Sequence, residues 1–312
     1  GAAGGRTRGA RVQHRSRDAR RRLSFRDPEL RTEPAWVASR ATSPRGGGGG
    51  GSGGGGSGAW RPEDSLGDLD VIMHDDQRTT LKQFTRAVLG PPPKRPARNP
   101  GPPAGTAAPF IDGIGFHWYV AAEDMLIVHP GHMVRETHAE FPDYYLLGTE
   151  ACEGYMPARK GPFVGDWRRG LKYAYDILED TGNWAAGWTD WNLVLDMSGG
   201  PNWRGNYVDA PVLFDPLFDE FYKQPMFYAM AHFSKFVPPG SVALETSTSG
   251  RMELLAQAFL RPDGRVALVT LNQRSVPKRV AIRVQDGRYI NIHSPPRSIH
   301  TIIYELPQGA CA

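Results

Sequence analysis

Glu150 stands near the end of Tyr144–Cys152, a run of apolar and β-prone residues that reads as a buried strand. A carboxylate in that position can attack an electrophilic carbon or carry a proton, provided nearby donors keep it ionised. It can equally close a structural ion pair, and the residue alone does not separate the two readings. Similar strand ends carry His117-Trp118-Tyr119 and Trp188-Thr189-Asp190-Trp191-Asn192. His117 either orients a carboxyl group or sits in the core as a hydrogen-bonded imidazole. Tyr119 and Trp191 are read as ligand-facing aromatics, whereas Trp188 is read as core. Asp190, between two tryptophans, suits a hydrogen-bond acceptor within the fold. Asp75-Asp76 has no His or Cys at ligand spacing, so no metal is expected. Arg78 is the simpler partner for one of those two carboxylates. No cofactor is expected either.

The elements that must position these residues alternate in type. Val71-Ile72-Met73 is a short buried-strand run leading to His74-Asp75-Asp76, and residues 79–89 suit a helix. Residues 91–110 hold eight prolines, which exclude helix or central strand and read as an exposed insertion. Strands follow at Ile111–Val120, Tyr144–Cys152 and within Trp184 to Leu195, the last containing Trp188 to Asn192, with helices at 131–140 and 166–180 between them. In the second helix Trp167, Leu171, Ala174 and Leu178 share one face. Strand–helix alternation with polar and aromatic residues at the strand ends predicts an α/β fold of the (β/α)8 type, whose chemistry sits at that end. A helix starting at Pro225 is stopped by Pro238-Pro239-Gly240. Five short strands then follow, Leu254–Leu260, Val266–Asn272, Arg279–Gln285, Tyr289–His293 and His300–Glu305, as a small antiparallel β domain. About four βα-type strands precede it, half of what a closed barrel needs. The expected organisation is a leader over 1–58, a partial barrel over 59–237 and a β-sandwich over 238–312.

The leader differs in kind. Residues 1–58 hold 12 Lys and Arg against 4 Asp and Glu; the whole chain of 312 residues holds 37 against 33, leaving 25 against 29 for residues 59–312. The basic isoelectric point therefore belongs to the leader, and no nucleic-acid partner is expected for the fold. An Arg-rich stretch poor in apolar residues, followed by eleven Gly and two Ser over 46–58, is expected to be disordered. Two cysteines, Cys152 and Cys311, make no disulfide framework, and no apolar run is long enough to cross a membrane.

Several motifs occur in a telling order: Asp75-Asp76-Gln77-Arg78, His117-Trp118-Tyr119, Glu150-Ala151-Cys152, Gly187 to Asn192, Gly199 to Trp203, Phe221 to Tyr228 and His232 to Phe236. The set resembles the glucosylceramidases of glycoside hydrolase family 30, over residues 68–90 and 111–306. The resemblance implies a (β/α)8 barrel joined to a β-sandwich, and the retaining hydrolysis of glucosylceramide at a membrane surface in the lysosome. It further implies a lipid-presenting activator protein as partner. It makes Glu150 the nucleophile, places Tyr119, Trp191 and Asn206 in the glucose pocket, and sets His117 and Cys152 beside the carboxylates.

Retaining glycosidases need a second carboxyl group about 5–5.5 Å from the nucleophile. In the family it is the Glu of an Asn-Glu-Pro sequence, and none occurs here; the Glu33-Pro34 pair follows Thr32 within the leader. The chain is therefore expected to be an incomplete form that does not turn over substrate. Two other readings follow from the same residues: a β-xylosidase or xylanase of the same family, and a non-catalytic carbohydrate- or lipid-binding remnant.

Overall fold

A computed structural model of the chain describes residues 69–91, 106–119, 130–246, 254–284 and 287–306. The expected leader, Cys311 and most of the proline-rich insertion lie outside the described residues; its end, Ala108–Phe110, forms a 3-10 turn with Ala108 buried.

The first layer is a parallel sheet in the order β1 (Ile72–Gln77), β2 (Gly113–His117), β3 (Tyr145–Glu150), β4 (Ala185–Trp188). Helix α1 (Leu81–Leu89) connects with β1, α2 (Pro130–Glu140) lies between β2 and β3, and α3 (Trp167–Thr181) lies between β3 and β4. Strand periodicity explains which residues face the helices. Ile114 and Phe116 of β2 and Leu146 of β3 pack with Leu81 and Leu89 of α1 and Val134 of α2 in one core. Asp166 caps α3, its side chain accepting from the Arg168 N–H. Leu171, Ala174 and Leu178 are buried as their spacing predicts, but Trp167 is largely exposed and donates its indole N–H to the Arg297 carbonyl at 2.6 Å.

Two expectations are corrected here. The strand within Trp184 to Leu195 does not run through Trp188 to Asn192. β4 ends at Trp188, residues 189–193 leave the sheet, and β5 (Val194–Asp196) joins β6 (Val212–Asp215) and β7 (Glu220–Lys223) in a separate three-stranded sheet. The break has a local cause: Asp190 turns its carboxylate back to accept from the Tyr173 hydroxyl at 3.0 Å and the Trp191 N–H at 2.9 Å. Arg78 pairs with neither Asp75 nor Asp76. It is buried against Asp180 at 2.8 Å and Asp176 at 3.0 Å on α3, and its Nε–H reaches the His117 carbonyl at 3.3 Å. A buried guanidinium needs buried acceptors, and the two aspartates one helical turn apart supply them.

Helix α4 (Pro225–Ser234) begins with Pro in the first turn and packs on α3. Beyond it β8 (Val242–Leu244), β9 (Leu255–Leu260), β10 (Arg265–Asn272) and β13 (Ser298–Glu305) form an antiparallel sheet in the order β13-β10-β9-β8. β11 (Lys278–Arg283) and β12 (Tyr289–Ser294) form a ribbon. The period of two along β10 sorts its side chains. Val266 and Leu268 share a core with Ile282 of the ribbon, whereas Ala267, Val269 and Leu271 pack with Leu171, Ala174 and Phe233 of α3 and α4. The sheet is thus covered on both faces, and the helices beside β4 share its core.

Candidate active site

The C-terminal ends of the parallel strands bring Gln77, His117 and Glu150 into one row. Parallel pairing puts these ends on one rim, where loops are free to carry chemistry. The chain then departs from the strands in a coordinated way. The Trp118 N–H donates to the Glu150 carbonyl at 3.1 Å, and the Trp191 N–H donates to the Ala151 carbonyl at 2.8 Å. The backbone around Glu150 therefore fixes both neighbouring loops.

Of the residues singled out in the sequence, Glu150, Tyr119, His117 and Cys152 make one connected group. The Tyr119 hydroxyl donates to Glu150 Oε1 at 3.2 Å and lies 3.0 Å from Cys152 Sγ. His117 Nε2 lies 3.9 Å from Glu150 Oε2 and 3.0 Å from Asp75 Oδ1. The Glu150 side chain is 28% exposed, so it remains reachable, with the Tyr119 hydroxyl donating to one oxygen and the His117 imidazole approaching the other. Cys152 is buried beneath Tyr119, and burial pushes its thiol up to about 12. It therefore stays a neutral thiol across the physiological range and is no competing nucleophile. Burial also drives the Tyr119 phenol far up, with help from Cys152 and the Glu150 charge, so it remains a proton donor to the carboxylate.

Trp191 is anchored by its backbone to Ala151, next to Glu150, and is 40% exposed. Trp188 is buried, with its indole N–H on Asp176 at 2.8 Å. Asn206 stands in the loop between β5 and β6, its N–H on Asn202 Oδ1 at 3.1 Å, and no hydrogen bond among the described residues joins it to Glu150.

Beneath the rim lies a polar layer that sequence reasoning did not find. Arg169 of α3 is buried in an ion pair with Asp209, close to Glu153, and donates to the carbonyls of Gly161 and Arg159. Gln224 binds Asp209 at 3.1 Å and the Gly165 N–H at 2.8 Å. This network ties the loop after Glu150 to α3 and to the entry of α4. Its bonded partners are 8 to 59 residues apart in sequence, and the side-chain pairs Arg169–Asp209 and Gln224–Asp209 span 40 and 15, so no local spacing signals it. The aim of Asp75 was equally hidden, since it depends on a backbone irregularity in β1. Asp190 is a perturbed carboxyl close to this network: burial pushes it up to about 7, against the Tyr173 and Trp191 hydrogen bonds that lower it. Chemically, the rim offers an accessible carboxylate bonded by a phenol and faced by an imidazole, with an exposed tryptophan on the adjoining loop. Such a group can attack an electrophilic carbon next to a stacked ring.

Comparison with known proteins gives the same picture of the whole. Residues 61–237 match the glycosyl hydrolase family 30 TIM-barrel domain, and residues 240–302 match the family 30 β-sandwich domain. The chain is similar to the lysosomal acid glucosylceramidase of Mus musculus, 38% identical over 240 residues, covering 77% of this chain and 43% of that protein. It is 37% identical over 243 residues to a Caenorhabditis elegans protein provisionally named glucosylceramidase 4, covering 76% of this chain and 43% of that one. Its fold is like that of SrfJ from Salmonella typhimurium, with a TM-score of 0.65 at 22% identity, over 78% of this chain and 49% of that one. The chain spans less than half the length of the curated relatives it matches. With its parallel sheet, its rim of aromatic and carboxyl residues and both matching domains, the chain belongs to glycosyl hydrolase family 30.

Proposed function

We propose that the chain is the carboxyl-terminal part of a retaining glycoside hydrolase that cleaves β-glucosylceramide to glucose and ceramide. The observation that carries this reading is Glu150: an accessible carboxylate at the C-terminal end of a parallel strand, with Tyr119 on one oxygen and His117 facing the other. Glu150 attacks the anomeric carbon, the bond to the lipid oxygen breaks as that oxygen takes a proton from the general acid of the complete barrel, and a glycosyl-enzyme forms that water, giving its proton back to the same group, then hydrolyses. Tyr119, bonded to one oxygen, and His117, facing the other, orient the carboxylate. Trp191 supplies the face against which the sugar ring stacks, and Asn206 contributes to the pocket. The names of the mouse and nematode relatives support the lipid substrate, and the mouse name supports a lysosomal setting. Glucosylceramide presented at a membrane surface, with an activator protein, completes the proposal.

The general acid/base is not supplied by this chain, which has no Asn-Glu-Pro sequence. The parallel sheet has four strands among the described residues, where a closed barrel has eight. Alone, the chain is proposed to bind or be labelled far better than it turns over. The test is an epoxide-type β-glucoside inactivator at acidic pH, followed by mass mapping. An adduct on Glu150 that is absent in Glu150→Gln supports the nucleophile. An adduct on another carboxylate refutes it. Turnover of xylan in preference to glucosylceramide, once the missing barrel strands are supplied, would shift the reading to a xylanase of the same family.

A further inference from the structure

We infer that Asp75 is a positioning residue that holds the His117 imidazole edge-on to Glu150 and fixes its Nε2-protonated tautomer. The inference rests on the reading of Glu150 as nucleophile and deepens it. The backbone gives the first observation. β1 and β2 run in register from Ile72↔Gly113 to His74↔Gly115, then skip, so that Asp76 pairs with Phe116 and Asp75 has no partner. Asp75 is the extra residue of a bulge. Both His74 (φ 80) and Asp75 (φ 50) lie in the left-handed region, which costs non-glycine residues about 1–3 kcal/mol each. The strain is held in place from one side: His74 is pinned by Nδ1 to the Gly115 carbonyl at 2.9 Å and by Nε2 to Thr80 Oγ1 at 3.0 Å. Bulges of this kind re-aim a side chain.

What the bulge aims is the second observation. Asp75 Oδ1 lies 3.0 Å from His117 Nε2, the same nitrogen that lies 3.9 Å from Glu150 Oε2. Hydrogen bonds from Thr149 and His117 hold the Asp75 carboxyl below its usual range, so it is an anionic acceptor even in acid. An anionic acceptor at Nε2 selects the ring form with the proton on that nitrogen. Tyr119 holds Oε1 of Glu150, and the His117 edge faces Oε2. The carboxylate is thereby fenced from both sides and its attacking lone pair kept toward the open face. A purely structural role does not explain the arrangement. The Asp75 side chain is 69% exposed, and exposed pairs add little to stability.

The test uses the full chain with ¹⁵N-labelled histidine and the variants Asp75→Ala and Asp75→Asn, with the His117 signals assigned by their loss in His117→Gln. At about pH 8, where free imidazoles are neutral, the His117 ring nitrogens report the tautomer. In the parent chain they show the Nε2–H pattern. In Asp75→Ala they move to a mixture, with the melting temperature unchanged and labelling of Glu150 by the epoxide slowed about 10- to 100-fold. Asp75→Asn, whose amide oxygen still accepts, restores the pattern and most of the rate. Unchanged His117 nitrogens in Asp75→Ala overturn the inference. So does a melting temperature that falls in Asp75→Ala, with no rescue by Asn. A tautomer that depends on Asp75 in a parent chain that takes no label supports the positioning and counts instead against Glu150 as nucleophile.

Discussion

Replacing Asp190 by Asn should make the stability of the fold less sensitive to pH in one direction only. Asp190 accepts from Tyr173 and Trp191 through Oδ1, while Oδ2 is buried without a hydrogen-bond partner. Burial raises its carboxyl to about 7, from an ordinary value of about 3.9. The folded state thus holds the proton more tightly than the unfolded state does. Its contribution is fully present below about pH 4, falls as pH rises and levels off above about pH 7. Each tenfold difference in proton affinity between the two states is worth about 1.4 kcal/mol, so the full swing is roughly 4 kcal/mol, of which roughly 2–3 kcal/mol falls between about pH 5 and pH 8. Asn keeps the acceptor oxygen and the shape but cannot ionise. Urea unfolding of the parent and of Asp190→Asn at a series of pH values measures the difference. The variant should gain on the parent steadily as pH rises. Histidines pushed down by burial, His138 and His232, titrate in the same window with the opposite slope, but they cancel in the difference. A difference that stays flat across the window would show that Asp190 is ionised throughout and that burial does not hold its proton.

Other outcomes follow from single contacts. Tyr119→Phe removes the donor to Glu150 and Cys152, a charge-assisted bond worth about 1.5–3 kcal/mol, so labelling of Glu150 should slow by about ten- to a hundredfold; an unchanged rate would reduce Tyr119 to packing. Arg78→Met strands two buried aspartates and should cost about 3–5 kcal/mol in urea unfolding at neutral pH. The loss should shrink in acid, because burial already favours the protonated form of Asp180. Gly154→Ala should cost more than about 1–2 kcal/mol, since Gly154 has φ 82 and a Cβ there would lie 2.7 Å from the Gly161 carbonyl oxygen and 2.8 Å from the Asp209 nitrogen. A variant as stable as the parent would mean that this loop shifts freely.

The strands and helices were legible where the hydrophobic pattern was long enough to have a period. β10 is the clear case: seven consecutive buried residues announce a strand covered on both faces. β5, β6 and β7 run only three or four residues each and left no such trace. The stretch from Trp184 to Leu195 looked continuous because its break is made by one side chain, Asp190, whose partner Tyr173 is 17 residues earlier. Motif order picked out Glu150, and the strand-end rule placed His117, Tyr119 and Trp191 near it. The partner of Arg78 was misjudged because sequence favours neighbours. Its aspartates lie 98 and 102 residues away, and only the fold brings them in. Asp75 shows the same limit in another form. A left-handed bulge built from His and Asp has no glycine to advertise it, so nothing local tells where its carboxylate points.

Arg78 also bears on how the molecule opens. One guanidinium, on the residue that follows β1, binds the carbonyl of His117 at the end of β2 and two carboxylates of α3, one of which also holds Trp188 of β4. By contrast α1 and α2 are joined at the surface by Lys82 and Arg86 to Glu136 and Glu140. Amide protons of β1, β2, β4 and α3 should therefore exchange with solvent together, at the highest protection in this half of the chain, with α1 and α2 opening earlier. The rim around Glu150 and the helix behind it would breathe as one unit, and whatever loosens α3 would be felt at His117.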